Sequence, residues 1–315
     1  MKPSLKTVSG IETYRIEDNR GVSWDDDVVY NAESLNHLPV KTFKDRVIGQ
    51  GGVFSDKELK VALELGHIVC DPEPARINSS SIDVRLGENF YLAGDARNVG
   101  AIFNPFDEDD VNRYFGKALI AKPAEFVIKK ALENLDHIQD LEVLPSGIIE
   151  RRKASLESLL EHKNLKGIAE DHPIILLRPG ERVLGHTDEF IGIKPPGTTS
   201  MQSRSTTGRM GVAACFCAGW GDSGYINRWT MEINNLNEHE YVPLPIGLRM
   251  AQIVFSTTGP VEIEYSKASG NYQQTDSDHI EEIKRLWQPS SMKPKSFKDV
   301  DELTEWRANM LGRTV

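Results

Sequence analysis

The stretch Ser203–Gly211 combines the residue types that bind oxyanions in proteins. Within it, hydroxyl groups come from Ser205, Thr206 and Thr207, guanidinium groups from Arg204 and Arg209, and a backbone without a side chain from Gly208. A guanidinium group can hold two phosphate oxygens at once, and a glycine lets backbone N–H groups approach an anion closely. The Walker spacing Gly-x-x-x-x-Gly-Lys-Ser/Thr is absent from this stretch. A solvated turn has the same composition, so the residues alone leave a phosphate-binding loop and a turn open.

Glu232 is a carboxylate within an otherwise apolar strand pattern, Trp229–Ile233. Because side chains alternate along a strand, we expect Glu232 to share a face with Thr230 and Asn234. On a solvated face the carboxylate would simply point to water. In a pocket, desolvation would raise its pKa towards neutrality and suit it to proton transfer. Both interpretations remain open for the residue taken alone.

A glycine-rich turn, Cys217–Tyr225, lies between these two features and carries one carboxylate, Asp222, and one ring, Tyr225. Taken alone, Asp222 is typical of a turn and Tyr225 of a core. Cys215 and Cys217 are spaced as a metal or redox pair would be. No third or fourth ligand has suitable spacing, so we interpret them as two small buried residues.

In this order, the features resemble the dCTP deaminase branch of the trimeric dUTPase-like superfamily. Other segments carry the same resemblance, over about residues 50–120 and 170–280: Phe54–Leu59, Ser80–Gly87 (SSIDVRLG), Pro173–Thr187 (PIILLRPGERVLGHT), Pro243–Phe255 (PLPIGLRMAQIVF) and the closing segment Tyr265–Gln274. The resemblance implies a mainly β fold, namely a distorted β-barrel or jelly roll with inserted and terminal helices. It also implies a homotrimer with sites between subunits, and Mg²⁺ carried by the nucleotide triphosphate.

The resemblance implies roles for individual residues toward the nucleotide, dCTP or dUTP. Glu232 would accept a proton from water that attacks C4 of the base, Asp222 would meet the 3′-hydroxyl, and Ser205 would lie near the base. No metal held by the protein is implied. The residues implied in substrate binding are Arg204, Ser205, Thr206, Thr207, Gly208, Arg209, Ala218, Asp222, Tyr225, Thr230, Met231, Tyr265, Asn271 and Gln274.

The sequence departs from the family pattern in two places. Cys215 and Cys217 stand where the family usually has His and Thr, so a hydroxyl near C4 is lost. Asn271 stands where the closing segment usually has Lys, which removes one phosphate charge unless Lys267 substitutes for it. Gln273 or Gln274 is the nearest match to the family's glutamine.

Three functions therefore remain open. The turn Ala218–Tyr225 looks more like that of dUMP-forming dCTP deaminases than that of members that release dUTP. A dUTP pyrophosphatase without deaminase activity is favoured by Cys217. A nucleotide sensor without catalysis is favoured by the long extensions and the altered closing segment.

Composition limits the class of protein. The 315 residues carry a net charge of −10 and a pI near 5.4, which argues against a general nucleic-acid binder. No apolar run approaches the roughly 20 residues that span a bilayer, and the N-terminus lacks a signal-peptide core. Three cysteines fit a reducing compartment. We therefore expect a cytoplasmic protein that binds neither nucleic acid nor membrane.

The elements that must position these residues follow from periodicity and turn signals. We predict an N-terminal extension over 1–49, a β domain over 50–280 with a helical insertion at about 104–170, and a C-terminal helical tail over 281–315. A capping box at Ser55 and Glu58 predicts a helix start. Further helices are predicted at Ala124–Leu135, Ile149–His162, Ile280–Trp287 and Val300–Leu311, the last two joined by a linker, Pro289–Ser296.

Short apolar runs between turn residues predict the strands. They are Ile68–Cys70, Ile82–Leu86, Ile174–Leu177, Arg182–Gly185, Phe190–Ile193, Thr199–Gln202, Gly211–Phe216, Trp229–Ile233, Arg249–Phe255 and Val261–Tyr265. Asp83 and Arg85 share one face of their strand, and we expect them to form a structural ion pair at a subunit contact.

Overall fold

The computed structural model describes residues 52–94, 100–137, 154, 157, 165–267, 271–273, 275–277 and 279–312, and the backbone of 5–8 and 11–14. The strands are β1 Leu5–Val8, β2 Ile11–Tyr14, β3 Ile68–Asp71, β4 Arg76–Ile77, β5 Ile82–Arg85, β6 Asn89–Leu92, β7 Leu119–Ile120, β8 Lys122–Pro123, β9 Pro173–Leu177, β10 Arg182–Ile193, β11 Gly197–Ser203, β12 Val212–Ala213, β13 Trp220–Gly221, β14 Ile226–Asn235, β15 Val242–Pro245 and β16 Arg249–Thr257. The helices are α1 Asp56–Glu64, α2 Glu108–Phe115, α3 Ala124–His137, α4 Ser205–Arg209, α5 Ile280–Leu286 and α6 Val300–Gly312.

Two antiparallel sheets form most of the fold. One has the order β12-β14-β10-β6-β7, with β3 also paired to β10, and the other has the order β13-β11-β16-β5-β4. A smaller sheet, β15-β9-β8, lies beside them. The predicted mainly β fold with inserted and terminal helices is confirmed. Its described strands are distributed over separate sheets rather than one closed ring.

The main core lies between these sheets, and strand β14 contributes one whole face to it. Trp229, Met231 and Ile233 are at most 3% exposed and belong to the core cluster. Thr230 and Glu232 alternate with them and are partly exposed. The predicted alternation of this strand is confirmed, and it turns the carboxylate away from the core.

Helix α1 begins at the predicted capping box. The Ser55 hydroxyl accepts from the N–H of Glu58, and the Glu58 carboxylate accepts from the N–H of Ser55. Gly66 follows the helix with φ of +65°, a conformation that favours glycine. Leu59 and Ala62 are fully buried and pack the helix onto the core.

The insertion begins with α2, which starts at the acidic run and has Asp107 as its N-cap. Val111 and Phe115 of α2 pack against Tyr91 and Leu184 in a second apolar cluster. Helix α3 confirms the prediction for Ala124–Leu135. The predicted helix Ile149–His162 lies outside the described residues, except for 154 and 157.

Four strand predictions need correction. The runs Arg182–Gly185 and Phe190–Ile193 belong to one strand, β10, with a bulge between His186 and Phe190. Gly211–Phe216 contains only the two-residue strand β12. Val261–Tyr265 forms bends and a turn, because the N–H of Tyr265 binds the carbonyl of Ser223 rather than a strand neighbour.

The C-terminal tail is more structured than a linker with two helices. Helices α5 and α6 confirm the predictions, but two 3-10 helices, Pro289–Met292 and Ser296–Asp299, lie between them. Met292 is 4% exposed and joins the cluster around α2. Among the described helices, none is both long and apolar enough to cross a lipid bilayer.

Candidate functional site

The short helix α4, which carries most of the oxyanion-type residues, is anchored to the sheet beneath it. Thr207 is 1% exposed, and its hydroxyl donates to the backbone carbonyl of Met250 in β16 at 2.8 Å. Arg204 precedes α4 and places its Nε 3.2 Å from the carboxylate of Asp83 in β5. These two contacts inside the protein fix the position of α4.

Asp83 is the buried anion on which this anchoring depends. It is 1% exposed and also accepts from Nη1 of Arg249 at 2.8 Å. Arg85 binds Glu189 at 2.7 Å instead. The predicted Asp83–Arg85 pair was therefore wrong, because diagonal neighbours on the adjacent strand, such as Arg249, lie within reach of a strand side chain.

The remaining residues of the cluster are exposed: Ser205, Thr206, Gly208 and Arg209. In the part of the chain that the structure describes, the Arg209 guanidinium takes part in no ion pair. The cluster thus has an anchored part, Arg204 and Thr207, and an exposed part with one uncommitted cation.

Glu232 is hydrogen-bonded to the loop that joins β12 to β13. Its Oε2 accepts from the backbone N–H of Cys217 at 3.1 Å. At the other end of the loop, the hydroxyl of Ser203 accepts from the N–H groups of Ala214 and Cys215 at 3.0 and 3.3 Å. One loop therefore connects the strand that leads into α4 with the carboxylate on β14.

The cysteines beside Glu232 differ in their surroundings. Cys215 packs against the core, and burial raises the pKa of its thiol to about 11, with the negative charge of Glu232 adding to the effect. Cys217 is exposed, contrary to our interpretation of both as buried. Among the described residues, no group of three or more His, Cys, Asp or Glu side chains is arranged to hold a metal ion.

The glycine-rich turn places a carboxylate and a ring close to β14. Asp222 is exposed and accepts from the indole N–H of Trp220 at 3.1 Å. Tyr225 meets Trp229 and Tyr265 edge to face, with ring centroids 5.3 and 5.2 Å away. Burial raises the pKa of the Tyr225 phenol. Tyr225 is thus a packed side chain, whereas Asp222 is accessible.

Thr230 and Met231 present their backbone groups to opposite edges of β14. The N–H of Trp229 binds Thr187 in β10 at 2.9 Å, whereas the N–H of Ile226 binds a side chain on the opposite edge. Peptide groups alternate along an antiparallel strand, so Met231 faces β10 and Thr230 faces away from it. The family resemblance implies that both residues present backbone groups to the pyrimidine edge, and of the two only Thr230 has its backbone groups on the edge opposite β10.

The closing segment lies along that opposite edge of β14. The N–H of Tyr265 donates to the carbonyl of Ser223 at 2.9 Å, and the N–H of Tyr272 donates to the Tyr265 hydroxyl at 3.3 Å. The side-chain oxygen of Gln273 accepts from the N–H of Ile226 at 3.2 Å. The segment therefore contacts both the glycine-rich turn and the strand of Glu232.

Other residues implied in binding have the following places. Ala218 is exposed in the loop next to Cys217, and Gln274 lies outside the described residues. Lys267, the suggested substitute for the missing lysine, pairs with Glu264 at 3.2 Å. The carbonyl of Asn271 accepts from the ammonium of Lys295 in the C-terminal tail. No local sequence signal pointed to Lys295, because the contact depends on how the tail folds back.

Residues 139–258 match the family model described as dCTP deaminase-like. A Methanopyrus kandleri protein named "dCTP deaminase, dUMP-forming" is 30% identical over 232 residues, which cover 70% of this chain and 90% of that protein. A Methanobrevibacter smithii protein of the same name is 27% identical over 222 residues, which cover 70% and 88%.

Among solved structures, the 2′-deoxycytidine 5′-triphosphate deaminase of Agrobacterium tumefaciens matches 66% of this chain and 48% of its own chain, with 15% identity and a TM-score of 0.38. The family assignment rests on the relative from Methanopyrus kandleri, which is matched along 90% of its length at 30% identity. This chain therefore belongs to the dCTP deaminase family.

Proposed function

We propose that the protein converts dCTP to dUMP by hydrolytic deamination at C4 and cleavage of the triphosphate. The observation that carries the proposal is the position of Glu232, a partly exposed carboxylate on a strand whose other face is core. The hydrogen bond from Cys217 orients it at 3.1 Å. The names of both relatives, "dCTP deaminase, dUMP-forming", support the same reaction.

Deamination in this proposal consumes one water and releases one ammonia. Glu232 accepts a proton from water as the water oxygen forms a bond to C4. The protonated carboxyl group delivers that proton to N3 of the ring, and the proton of the new C4 hydroxyl then passes through the same carboxylate to the exocyclic amine. The C4–N bond breaks, ammonia leaves, and the oxygen remains on C4 as the carbonyl of uracil. A second water then attacks the α-phosphorus and displaces pyrophosphate, which leaves dUMP.

The binding residues divide between phosphate, sugar and base. The exposed guanidinium of Arg209, which makes no ion pair among the described residues, and the exposed hydroxyls of Ser205 and Thr206 bind phosphate oxygens. Asp222 accepts from the sugar hydroxyl, and the backbone of Thr230 binds the pyrimidine edge. Arg204 and Thr207 act by holding α4 in place, since their polar groups are engaged with Asp83 and Met250.

Magnesium enters with the substrate in this proposal. Mg²⁺ commonly binds substrate phosphates together with few protein ligands. The ion would neutralise phosphate charge, and Arg209 would bind the remaining oxygens.

A dUTP pyrophosphatase without deaminase activity is the second candidate. It is favoured by Cys217, which replaces the hydroxyl residue that the family usually has near C4. The bond to Glu232 comes from the backbone N–H of Cys217, however, and so does not depend on its side chain. For this reason we prefer deamination.

Product analysis separates the candidates. Purified protein is incubated with Mg²⁺ and either dCTP or dUTP, and ammonia, dUTP, dUMP and pyrophosphate are resolved. We expect ammonia, dUMP and pyrophosphate from dCTP. Pyrophosphate from dUTP without ammonia from dCTP would support the pyrophosphatase. Binding of either nucleotide without any product would indicate a sensor and contradict both enzymes.

A further inference from the structure

The C-terminal tail is fixed to the inserted helix α2 before it reaches the closing segment. Met292 packs with Tyr91 in the apolar cluster of α2. The ammonium of Lys293 donates to the carbonyl of Gly116 at 3.1 Å, just after α2, and lies 4.9 Å from the centroid of the Tyr91 ring. These contacts give the following residues of the tail a defined starting point.

Lys295 then contacts the closing segment in two ways. Its half-buried ammonium donates to the carbonyl of Asn271. The same group lies 5.4 Å from the centroid of the Tyr272 ring, where the face of the ring attracts a cation. Lys295, which lies in the C-terminal tail, thus contacts two consecutive residues of the closing segment, Asn271 and Tyr272.

The segment that Lys295 contacts is bound to strand β14. The Tyr272 carbonyl accepts from the side chain of Asn227 at 2.9 Å, and Gln273 accepts from Ile226. Burial raises the pKa of Tyr272, a hydrogen bond from the backbone of Lys295 opposes this, and the charges of Asp299 and Glu232 add to the increase. The closing segment is therefore bound at the start of the strand that carries the proposed catalytic carboxylate.

The geometry points to Lys295 as a positioning residue that holds Asn271–Gln273 against the start of β14, the strand that carries Glu232. Its effect on catalysis rests on the proposed function, whereas its effect on the segment does not. When a binding-competent arrangement is populated only part of the time, the apparent affinity falls by that fraction. Loss of Lys295 therefore weakens nucleotide binding through the closing segment.

The first test measures hydrogen exchange in the nucleotide-free protein. Lys295→Met keeps the length of the side chain and removes its charge, and Lys298→Met is the matched control, because Lys298 is an exposed lysine in the same tail. We expect exchange in peptides that cover residues 265–277 to become about fivefold faster in Lys295→Met, the effect of one cation–π contact. Lys298→Met and Lys295→Arg are expected to retain wild-type rates.

The second test measures steady-state kinetics with dCTP. We expect KM to rise about fivefold in Lys295→Met with kcat within about twofold of wild type, since the catalytic residues are untouched. Equal exchange in Lys295→Met and wild type would overturn the proposal, as would a fall in kcat with unchanged KM. If wild-type protein releases no ammonia from dCTP, the proposed function fails, and the exchange result alone decides the role of Lys295.

Discussion

At the scale of single residues, Glu232 owes its position to its neighbours on β14, which are buried on the opposite face. Glu232→Gln keeps an oxygen that can accept from Cys217 but removes the group that accepts a proton from water. We expect ammonia release from dCTP to fall by at least about 10²-fold, the low end for general acid–base catalysis. Binding of dCTP is expected to persist, because the proposed phosphate-binding residues are unchanged.

Two further variants test the specificity of this prediction. Glu238→Gln is the matched control, because Glu238 follows β14 and its side chain is 89% exposed; its rate should equal that of wild type. Asp222→Asn should reduce pyrophosphate release from dUTP more than ammonia release from dCTP. If Glu232→Gln deaminates dCTP at the wild-type rate, the assignment of β14 to the active site is wrong.

The two arginines of the oxyanion cluster should respond differently to substitution. Arg209→Ala is expected to raise the KM for the nucleotide with an unchanged melting temperature, because the exposed guanidinium makes no ion pair among the described residues. Arg204→Ala is expected to lower the free energy of unfolding by roughly 1.5–3 kcal/mol, the value of a hydrogen bond to a buried charged group.

Kinetics and thermal unfolding of both variants distinguish these roles. If Arg204→Ala melts like wild type, its contact with Asp83 has no stabilising role. If Arg209→Ala keeps the wild-type KM, the stretch Ser203–Gly211 is a turn and does not bind phosphate.

At the scale of elements, the bulged strand β10 contains a buried histidine in a fixed protonation state. His186 is fully buried; its Nε2 accepts from the N–H of Asn89 at 3.2 Å, and its Nδ1 binds the carbonyl of Thr187 at 2.8 Å. An N–H can only donate and a carbonyl can only accept, so the ring is neutral with its proton on Nδ1. A second proton on Nε2 would remove the acceptor of the Asn89 N–H and place two donors against each other.

Stability should therefore depend on pH through His186. Burial lowers the pKa of His186 to about 4, the bond to Thr187 opposes this, and the charge of Arg228 adds to the decrease. Below pH ~6.5 the unfolded chain gains a proton on this histidine, whereas the folded chain does not. The contribution of neutral His186 to the free energy of unfolding is therefore fully present above that pH and is lost as the pH falls towards about 4.

Denaturant unfolding at pH 7 and pH 4.5 measures this loss. Wild type should lose about 2–3 kcal/mol more than His186→Gln, whose amide retains a donor and an acceptor. An equal loss in both proteins would mean that His186 is not the residue responsible.

Local signals in the sequence were sufficient for some elements. The capping box of α1 and the alternation on β14 involve residues within a few positions of each other, and both are confirmed. Val261–Tyr265 has the same alternating pattern, but Tyr265 binds the glycine-rich turn instead of a strand. Alternation indicates which face a strand would bury, and it does not indicate whether a partner edge is available.

The sequence indicated which residue types make up the candidate site, but it did not indicate which of them are engaged inside the protein and which are accessible. Arg204 and Arg209 look alike in the sequence, yet only the fold brings Asp83 to Arg204 and engages it there. Lys295 falls within a stretch that the sequence predicts to be a linker, and it contacts Asn271 three residues after Met292 packs in the apolar cluster of α2. Both assignments depend on contacts between distant parts of the chain, which spacing alone does not reveal.

At the scale of the whole molecule, we expect a homotrimer. Three large apolar side chains close to the candidate site are strongly exposed in the single chain: Phe216 at 65%, Trp220 at 67% and Leu236 at 62%. Exposed apolar surface of this kind is typical of a contact with another protein. Light scattering should give three times the chain mass of 35.3 kDa.

Two substitutions test which surface forms the trimer. Leu236→Glu should lower the measured mass and the activity together, because a charge at a buried contact is costly. Ile102→Glu is the control, since Ile102 lies just before the insertion and is 78% exposed, and it should remain trimeric. A stable monomer of wild type at micromolar concentration would contradict a site shared between subunits.

The unequal surroundings of the cysteines have a practical consequence. A thiol reacts with alkylating reagents as its thiolate, which burial disfavours at Cys70 and Cys215. Cys217 is exposed, and its own backbone N–H donates to the carboxylate of Glu232. One equivalent of iodoacetamide at neutral pH should therefore label Cys217 first, and dCTP should slow this labelling. The protein thus carries its own attachment point for a fluorophore that reports nucleotide occupancy.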